Sequence, residues 1–413
     1  MLPNRPSFSG TSDLRRHCLA LVLSLACALA SATPPERFVI PFEYEAGYLI
    51  VDVVLEDRLP LKFIFDTGSR LSILTDPTLA AVLGRPPGER IRILGSDRSA
   101  PIEGRLLRRC TIDVGELRLR SQALIVLSEG TIDLPALTGR DVYGVLGVEA
   151  FGAYAITIDY AREQLTLERP HRVRVRRKTS VHAIDVDRSR VLLPVFTKVH
   201  AGYADTLNLL LDTGAGVELM LSYLAGDTTL LPDRLSPGEI ATGLGGKVMG
   251  VIGRSDTVLL GDYAFPALLT HFQVVPTDAD ELGRGLSRDG VIGNGFLERF
   301  TVTIDFPNQR LLLRPRRRFQ LPQRFDRSGA QLIAQGPELE QVGVLRVTEG
   351  SPADLAGLRG GDIITRAGIL PARLRGLEGV RRLLRSREGK RIRLTVLRGD
   401  EVVPIEFRLR RLI

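Results

Sequence analysis

Phe65-Asp66-Thr67-Gly68-Ser69 decides the fold, because Leu211-Asp212-Thr213-Gly214-Ala215-Gly216 repeats it 146 residues later. A single Asp-Thr-Gly means little, since tight turns select Asp and Gly in any case. Both copies, however, follow an apolar run that ends just before the aspartate, Leu61 to Phe65 in the first and Leu207 to Leu211 in the second. The two aspartates therefore stand at corresponding places, each after a strand of buried character.

The similarity extends well beyond the two triplets. Each aspartate is followed 78 residues later by a Gly-apolar-apolar-Gly element, which begins at Gly144 in the first copy and at Gly290 in the second. The register then holds without a gap, because Ile156-Thr157-Ile158-Asp159-Tyr160 aligns with Val302-Thr303-Ile304-Asp305-Phe306. Chance turns do not duplicate in register, so the chain contains two copies of one unit.

The composition is that of an ordinary globular protein, with 44% hydrophobic and 25% charged residues in a chain of 413. This length is enough for two or three domains with buried cores. The net charge of +8 is spread widely, with concentrations at Arg169 to Lys178 and at Arg314 to Arg318. No aromatic-interleaved or zinc-finger pattern accompanies these runs, so they indicate linkers or solvated faces rather than a nucleic-acid site.

Residues 1–32 have the pattern of a secretory signal. Arg15-Arg16-His17 precedes an apolar stretch of about 13 residues, Cys18 to Ala30, and Ala30-Ser31-Ala32 supplies the small residues of a cleavage site. The stretch is shorter than the roughly 18 apolar residues of a membrane span, and no later run approaches that length. We therefore expect export to the periplasm or secretion, with an uncleaved anchor or a lipid tether at Cys27 as the alternatives.

The remaining cysteine and the histidines predict no metal site and no cofactor. Cleavage before Thr33 would leave Cys110 as the sole cysteine, so packing rather than a disulfide must hold the fold. Cys110 is expected to be a small residue that is buried or half-buried. The five histidines are scattered without ligand spacing, and neither His-Glu-x-x-His nor Gly-x-Ser-x-Gly occurs.

Both copies of the repeat consist of short predicted strands separated by Gly, Pro and Asp. The only helices predicted in the first copy are Thr75 to Leu83 and Leu146 to Phe151. The fold class is mostly β, with two lobes related by a pseudo-twofold axis and a compact α+β domain after them. The chain divides into a signal (1–32), lobe 1 (35–170), an inter-lobe linker (171–190), lobe 2 (191–318) and the C-terminal domain (327–413).

Two carboxyl groups brought together by a pseudo-twofold axis cannot both ionise without cost, so Asp66 and Asp212 are expected to share a proton. One then acts as a base and the other as an acid on a water molecule held between them, which permits amide hydrolysis without a covalent intermediate. Gly68 and Gly214 would let the backbone turn tightly beneath the carboxylates. Thr67 and Thr213 are expected to reach the backbone of the opposite loop.

These residues resemble the pepsin and retropepsin superfamily of aspartic proteases, and in particular bacterial exported retropepsin-like proteases with two lobes and a C-terminal PDZ domain. The resemblance covers about Phe38 to Pro315. It implies two pepsin-like β-barrels, Asp66 and Asp212 as the catalytic pair, and a groove between the lobes for an extended peptide.

One departure from the pepsin pattern concerns the residue after each triplet, which is Ser69 in the first copy and Ala215 in the second. A hydroxyl on Ser69 could donate to Asp66 and favour its ionised form, whereas Ala215 offers no such group. The sequence therefore suggests that Asp212 more often holds the shared proton, although the pair titrates as a unit.

The resemblance also implies β-hairpin flaps that cover the substrate. The candidates are the Gly95-Ser96-Asp97 turn in lobe 1 and Gly243-Leu244-Gly245-Gly246 in lobe 2, with an ordinary glycine-rich loop as the alternative. Neither carries the tyrosine familiar from pepsin flaps.

The C-terminal domain resembles a bacterial PDZ domain through Ser351-Pro352-Ala353, Ala356-Gly357-Leu358 and Gly361-Asp362-Ile363-Ile364. PDZ domains bind peptide C-termini by adding a strand to a sheet edge. The residues predicted to bind such a peptide are Ser328, Gly329, Ala330 and Leu332. The alternative is a packing module that grips the lobes.

The sequence thus predicts an aspartic endopeptidase that acts on polypeptides, with a PDZ domain that recruits or positions them. The alternative is a non-catalytic exported peptide-binding or scaffold protein on the same fold. Self-processing as the only activity is a third reading.

Overall fold

The computed structural model describes residues 37–86, 88–95, 101–275, 288–317, 319–321 and 323–413. The predicted signal (1–32) and the flap candidate Ser96 lie outside these residues. Within them, the chain forms three β-sheets from its two repeats and a fourth from the C-terminal domain.

The first repeat forms a closed eight-stranded sheet. The strands of the whole first repeat, eight of which form this sheet, are β1 Arg37–Pro41, β2 Glu43–Glu45, β3 Tyr48–Leu55, β4 Leu59–Asp66, β5 Ser72–Leu74, β6 Glu89–Leu94, β7 Pro101–Val114, β8 Leu117–Leu127, β9 Val142–Gly147, β10 Ala155–Asp159 and β11 Gln164–Glu168. The sheet order is β2-β3-β4-β9-β5-β8-β7-β6, and an additional pairing of β3 with β7 closes it. Lobe 1 is therefore a barrel, with β1, β10 and β11 outside it.

The second repeat has the same order of strands. They are β12 Ser180–Ala183, β13 Asp185–Asp187, β14 Arg190–His200, β15 Tyr203–Asp212, β16 Leu219–Leu224, β17 Ser236–Gly243, β18 Gly246–Leu260, β19 Tyr263–Val275, β20 Gly290–Gly293, β21 Phe300–Asp305 and β22 Arg310–Pro315. The sheet runs β13-β14-β15-β20-β16-β19-β18-β17 and is closed by β14 with β18. Strands β12 and β13 fall in the segment 171–190 that the sequence predicted as a linker.

A six-stranded inter-lobe sheet joins the two repeats in the order β1-β11-β10-β21-β22-β12. Its central strands β10 and β21 are antiparallel, and Thr157 pairs with Thr303 there. The hydroxyls of these two equivalent threonines lie 2.8 Å apart. Because each repeat contributes three strands, the two lobes share one continuous base.

The helices are short. They are α1 Pro77–Val82, α2 Leu134–Thr138, α3 Asn294–Leu297, α4 Pro352–Leu355 and α5 Ala372–Leu384, with 3-10 turns at Glu149–Phe151 and Pro170–Arg172. The helix predicted over Leu146 to Phe151 is wrong, because Leu146 and Gly147 complete β9 and only a 3-10 turn follows. A short apolar run fits a buried strand and a helix equally well, which explains the error.

The C-terminal domain has its own sheet and core. Its strands are β23 Ala330–Gln335, β24 Gln341–Val347, β25 Ile363–Ala367, β26 Leu370–Pro371, β27 Arg391–Arg398 and β28 Glu401–Arg408, in the order β23-β24-β25-β27-β28 with β26 beside β25. Its longer helix, α5, runs from Ala372 to Leu384 with a break at Gly376. Strand β23 lies at the edge of this sheet.

The largest apolar core fills both barrels and the space above the inter-lobe sheet. Cys110 lies in this core with 1% of its surface exposed, as predicted, and burial raises the pKa of its thiol to about 11. Over the residues that the structure describes, we find no helix with the length and apolar character that a membrane span requires.

His271 gives the fold a built-in sensitivity to acid. The ring is buried in lobe 2, its Nδ1 has no hydrogen-bond partner, and burial lowers its pKa from 6.5 to about 4. As the pH falls, the unfolded chain takes up this proton before the folded chain does, so stability is lost between about pH 6.5 and 4. We expect urea unfolding to show a loss of about 3 kcal/mol over this range that His271→Gln does not share. His171→Gln, at an exposed position, should follow the wild type, and a parallel decline in His271→Gln would contradict the assignment.

Candidate active site

Each repeat places its aspartate at the end of a buried strand. Strand β4 ends at Asp66 beside the parallel strand β9, where Asp66 pairs with Gly147. In lobe 2, β15 ends at Asp212 beside β20, where Asp212 pairs with Gly293. The Gly-apolar-apolar-Gly elements are therefore the strands that run under the two aspartate loops.

Four hydrogen bonds exchanged by two buried threonines tie the loops together. The Thr67 hydroxyl donates to Leu211 O at 2.7 Å, and the Thr213 hydroxyl donates to Phe65 O at 2.8 Å. Each hydroxyl also accepts the backbone N–H of the other threonine at 3.0 Å. Because every bond crosses between lobes, the positions of the two loops are set relative to each other.

Replacing Thr213 by Val should destabilise the protein more than any comparable hydroxyl deletion at the inter-lobe sheet. The change leaves Phe65 O and Thr67 N buried without a partner, which costs about 2–4 kcal/mol at the usual penalty per group. Urea unfolding measures the loss. Thr303→Val is the matched control, because its half-buried hydroxyl bonds to Thr157 alone and should cost about 1 kcal/mol or less. Equal losses in the two variants would contradict this account of the loops.

The carboxyl groups of Asp66 and Asp212 lie within hydrogen-bonding reach of each other. Asp66 Oδ1 accepts the backbone N–H of Gly68 at 2.7 Å and of Ser69 at 3.2 Å, and Asp212 Oδ1 accepts that of Gly214 at 2.8 Å. A side chain on Gly68 would overlap the Asp212 carboxylate, and one on Gly214 would overlap that of Asp66. Glycine is therefore required at both positions to let the carboxyl groups approach.

Burial and the neighbouring Asp212 carboxylate raise the pKa of Asp66 well above its usual range, so the pair retains a proton where isolated carboxyls have lost theirs. The expected role of the Ser69 hydroxyl is wrong, because it donates to Leu71 O at 2.9 Å instead of to Asp66. Without that bond, the reason for placing the proton on Asp212 is lost. Ala215 contributes its carbonyl, which accepts the backbone N–H of Asn294 at 2.8 Å.

Comparisons with known families agree with this geometry. A family model described as aspartyl protease matches residues 51–150, and one described as PDZ domain matches residues 343–398. The chain therefore contains one segment similar to aspartyl proteases and one similar to PDZ domains. The predicted fold class is confirmed: mostly β, with two pepsin-like lobes and a C-terminal PDZ domain.

Two solved structures with a similar chain trace come from a fungus and a plant. The crystal structure of the aspartic proteinase from Irpex lacteus is 14% identical, with a TM-score of 0.41 over 68% of this chain and 97% of that chain. The crystal structure of Basic 7S globulin from soybean is 10% identical, with a TM-score of 0.40 over 68% of this chain and 95% of that chain. A comparison with curated proteins found no match.

A cleft of about 650 Å³ contains the two aspartates of the protease-like lobes. Its apolar lining comes from equivalent strands of both lobes, and the PDZ domain supplies a further part of its wall. The lining residues of the PDZ domain include Ala330, Gln331, Leu332, Ile333, Leu345, Arg381, Leu384 and Arg385. The cleft is thus built from three parts of the chain rather than two.

The flap candidates of lobe 2 lie at the tip of a hairpin. In lobe 2, Gly243 pairs with Gly246 at the end of the β17–β18 hairpin, and Gly245 and Gly246 both have positive φ angles. The tip residue Leu244 packs against an apolar cluster of lobe 1. In lobe 1, Gly95 follows β6 and lines the cleft, and the rest of that turn lies beyond the described residues. The lobe 2 hairpin therefore spans the cleft from one lobe to the other.

Asn294 is a buried residue of this site that the sequence analysis missed. Its Nδ2 donates to Thr213 O at 2.5 Å and to Gly47 O at 2.8 Å, and its Oδ1 accepts the Tyr160 hydroxyl at 2.7 Å. It joins the Asp212 loop to two segments of lobe 1. Asn294 stands between Gly293 and Gly295, and an amide side chain between two glycines was the signal available in the sequence.

Another missed residue is Tyr48, which lines the cleft near both aspartates. Burial raises the pKa of its hydroxyl, while the charge of Arg381 opposes that change. A phenol that stays neutral can donate a hydrogen bond inside the cleft.

The loop predicted to bind a peptide carboxylate in the PDZ domain already holds one from the chain itself. Asp326 accepts the backbone N–H groups of Ser328 at 3.1 Å and Gly329 at 2.5 Å, together with the Ser328 hydroxyl at 2.8 Å. Ala330 N donates to the Ser328 hydroxyl at 3.1 Å. The expectation that these groups are free for a ligand is therefore wrong, because a local carboxylate occupies them.

The groove beside the PDZ edge strand β23 is likewise occupied. The side chain of Leu332 is buried in the PDZ core, and its carbonyl accepts a bond from Arg381 Nη2 at 2.8 Å. Arg381 also donates to Leu137 O of helix α2 at 3.3 Å, and Gly139 lies against Leu377 and Ala334. The PDZ fold suggests peptide binding, but here a segment of lobe 1 contacts the edge where a peptide would add.

Proposed function

We propose that this protein is an aspartic endopeptidase that hydrolyses peptide bonds with a water molecule activated by Asp66 and Asp212. The observation that carries the proposal is the pair of half-buried carboxyl groups within hydrogen-bonding reach of each other, in a cleft large enough for a peptide. The raised pKa of Asp66 supports it, because the chemistry needs one protonated and one ionised carboxyl group.

The proton balance follows from that shared state. The ionised carboxylate takes a proton from water as the water oxygen bonds to the peptide carbonyl carbon, while the protonated carboxyl donates to the carbonyl oxygen. The tetrahedral diol then collapses: one of its hydroxyls returns a proton to the pair, the C–N bond breaks, and the nitrogen leaves with a proton from the pair. Both carboxyl groups end as they began, with one proton between them, and no covalent bond to the protein forms.

The loop contacts prepare the pair for this exchange. Backbone N–H groups of Gly68, Ser69 and Gly214 hold the carboxylates, and the threonine bonds keep the two loops from separating. Preorganised donors of this kind need not reorient during the reaction, which lowers the barrier.

We assign the PDZ domain the role of positioning polypeptide rather than that of a separate receptor. Its residues Ile333, Leu345 and Leu384 line the same cleft as the aspartates, so a bound chain would contact them. We also propose that the protein is exported, on the pattern of residues 1–32 alone, which N-terminal sequencing of the protein from fractionated cells would test.

The proposal is tested with the purified protein, an unfolded polypeptide and a series of buffers from pH 3 to 8. Cleavage that is strongest under acid conditions and is blocked by a statine-type inhibitor would support it. Hydrolysis should fall as the pH rises through the raised pKa of Asp66, because the shared proton is then lost. Peptide binding without cleavage at any pH would instead support the non-catalytic reading, and processing of the chain itself as the only product would support self-processing.

A further inference from the structure

The hairpin formed by β17 and β18, called here the lobe 2 hairpin, encloses the cleft from lobe 2. Ile240, Ala241 and Leu244 of this hairpin line the same cleft as Asp66 and Asp212. The apolar tip at Leu244 packs on lobe 1. A polypeptide that reaches the aspartates therefore lies against this hairpin, and the position of the hairpin affects how tightly the polypeptide is held.

The lobe 2 hairpin has one irregular point between its base and its tip. The register between β17 and β18 shifts between Glu239 and Ala241. Directly before it, Gly238 has a φ of 136°, a conformation that other residues rarely adopt. Bulges of this kind bend a strand and leave a residue outside the ladder, so this is where the hairpin can change its direction.

The PDZ domain binds the hairpin at this irregular point. Gln331 Nε2 and Arg346 Nη2 each donate to Glu239 O at 3.1 Å. Gln331 and Arg346 are register partners on β23 and β24, so two adjacent PDZ strands bind one carbonyl. The Arg346 guanidinium also occupies the space where a side chain on Gly238 would lie.

The side chain of Glu239 is engaged separately, within the hairpin itself. Its carboxylate accepts the Thr242 hydroxyl at 2.8 Å and lies 3.6 Å from Lys247 Nζ. The PDZ donors bind the carbonyl, so they do not compete with the ion pair of the side chain.

The PDZ domain is also fixed to lobe 1. Helix α2 packs against β23, and Arg381 joins Leu137 O of α2 to Leu332 O of β23. The PDZ domain therefore bridges lobe 1 and the bulge of the lobe 2 hairpin. A hairpin held at the bulge by a domain that is itself held by the other lobe has a defined distance from the cleft floor.

We propose that Gln331 and Arg346 are positioning residues that hold the lobe 2 hairpin over a bound polypeptide. The effect of these residues on enzyme kinetics rests on the proposed function, whereas their effect on the position of the hairpin does not. The residues contact neither the aspartates nor the scissile bond; they act through Glu239 O on the hairpin. The PDZ domain then helps to hold the substrate, and its two hydrogen bonds to the hairpin affect the affinity for substrate more than the rate of the chemical step.

The test compares Gln331→Ala/Arg346→Ala with Arg393→Ala, a PDZ arginine whose exposed pair with Glu406 lies on the far strands. We expect the double variant to raise KM roughly tenfold, as two lost hydrogen bonds imply, with kcat changed by less than about twofold. Arg346→Lys, with Gln331 unchanged, keeps a donor at position 346 and should raise KM less than the double variant does. Arg393→Ala should behave as the wild type.

Hydrogen exchange of residues 236–252 supplies a readout that needs no activity, and it is measured in the Asp66→Asn protein. Amides of the hairpin should exchange at least tenfold faster in the double variant, while those of β27 and β28 stay unchanged. Unchanged exchange in the hairpin would overturn the proposal even if the enzyme is active. Faster exchange throughout the molecule would also overturn it, because that result means general destabilisation. If no substrate is ever cleaved, the proposed function fails, and the exchange result still decides whether the PDZ domain holds the hairpin.

Discussion

Replacing Asp66 by Asn, or Asp212 by Asn, is expected to reduce kcat/KM for peptide hydrolysis by about 10³-fold or more. An amide neither takes a proton from water nor donates one to the carbonyl oxygen, and either loss stops the exchange that the pair performs. The size and shape of the side chain are kept, so the loop hydrogen bonds from Gly68 and Gly214 retain an oxygen acceptor. A fluorogenic peptide under acid conditions gives the rates.

The matched control for these variants is Asp227→Asn in lobe 2. Asp227 is exposed, and within the described residues its carboxylate accepts hydrogen bonds only from the backbone N–H and hydroxyl of Thr229, so the change should leave kcat/KM within about twofold. Undiminished cleavage in both dyad variants would remove these residues from the mechanism. Loss in one variant but not in the other would mean that the two carboxyl groups do not act as a pair.

The second large effect concerns stability: Arg299→Met should cost about 3–5 kcal/mol. Arg299 forms a buried ion pair with Glu218, and both side chains are almost fully inaccessible to solvent. The guanidinium also donates to Phe319 O at 2.9 Å and to Leu321 O at 2.8 Å, and it lies near the faces of Phe265 and Phe296. Its removal leaves a carboxylate whose pKa burial already raises.

A double variant separates the loss of the ion-pair attraction from the cost of leaving the Glu218 carboxylate buried and unpaired. Glu218→Gln/Arg299→Met should be more stable than Arg299→Met alone, because the unpaired buried charge is gone. Arg391→Met provides a surface comparison: Arg391 pairs with Glu406 in solvent and should change the free energy of unfolding by less than about 1 kcal/mol. Urea unfolding measures all three. Equal losses of unfolding free energy for Arg299→Met and Arg391→Met would show that the buried ion pair contributes no more to stability than the exposed one.

This ion pair also bears on the active site. Glu218 O accepts the backbone N–H of Gly293, and Gly293 is the residue that pairs with Asp212. Partial unfolding around Arg299 should therefore disturb the Asp212 loop before that of Asp66.

The duplicated motif predicted the lobes and the aspartate pair because its signal is long and periodic. Identical spacing over 78 residues in both copies leaves few folds other than two related lobes facing each other. The threonines were predictable for the same reason, since a hydroxyl beside each aspartate in a symmetric pair has the opposite loop as its nearest neighbour.

The features that sequence reasoning missed depend on contacts between segments far apart in the chain. Asn294 bonds to Gly47, 247 residues away, and no local pattern encodes that contact. The prediction for Ser69 failed for a different reason: its hydroxyl donates to the nearby Leu71 O, and the sequence does not tell this acceptor from the Asp66 carboxylate. The PDZ groove is occupied by helix α2, whose own sequence gives no sign of a docking partner.

The inter-lobe sheet constrains how this molecule can move. Strands from both repeats are hydrogen-bonded side by side, with β10 directly against β21, so the lobes cannot swing apart like two halves of a hinge without breaking a ladder. We therefore expect the inter-lobe sheet to be rigid, so that movement is confined to the hairpins that cover the cleft. If the proposed function holds, the entry of a long polypeptide depends on the lobe 2 hairpin and on the PDZ residues that bind it, rather than on a movement of the lobes.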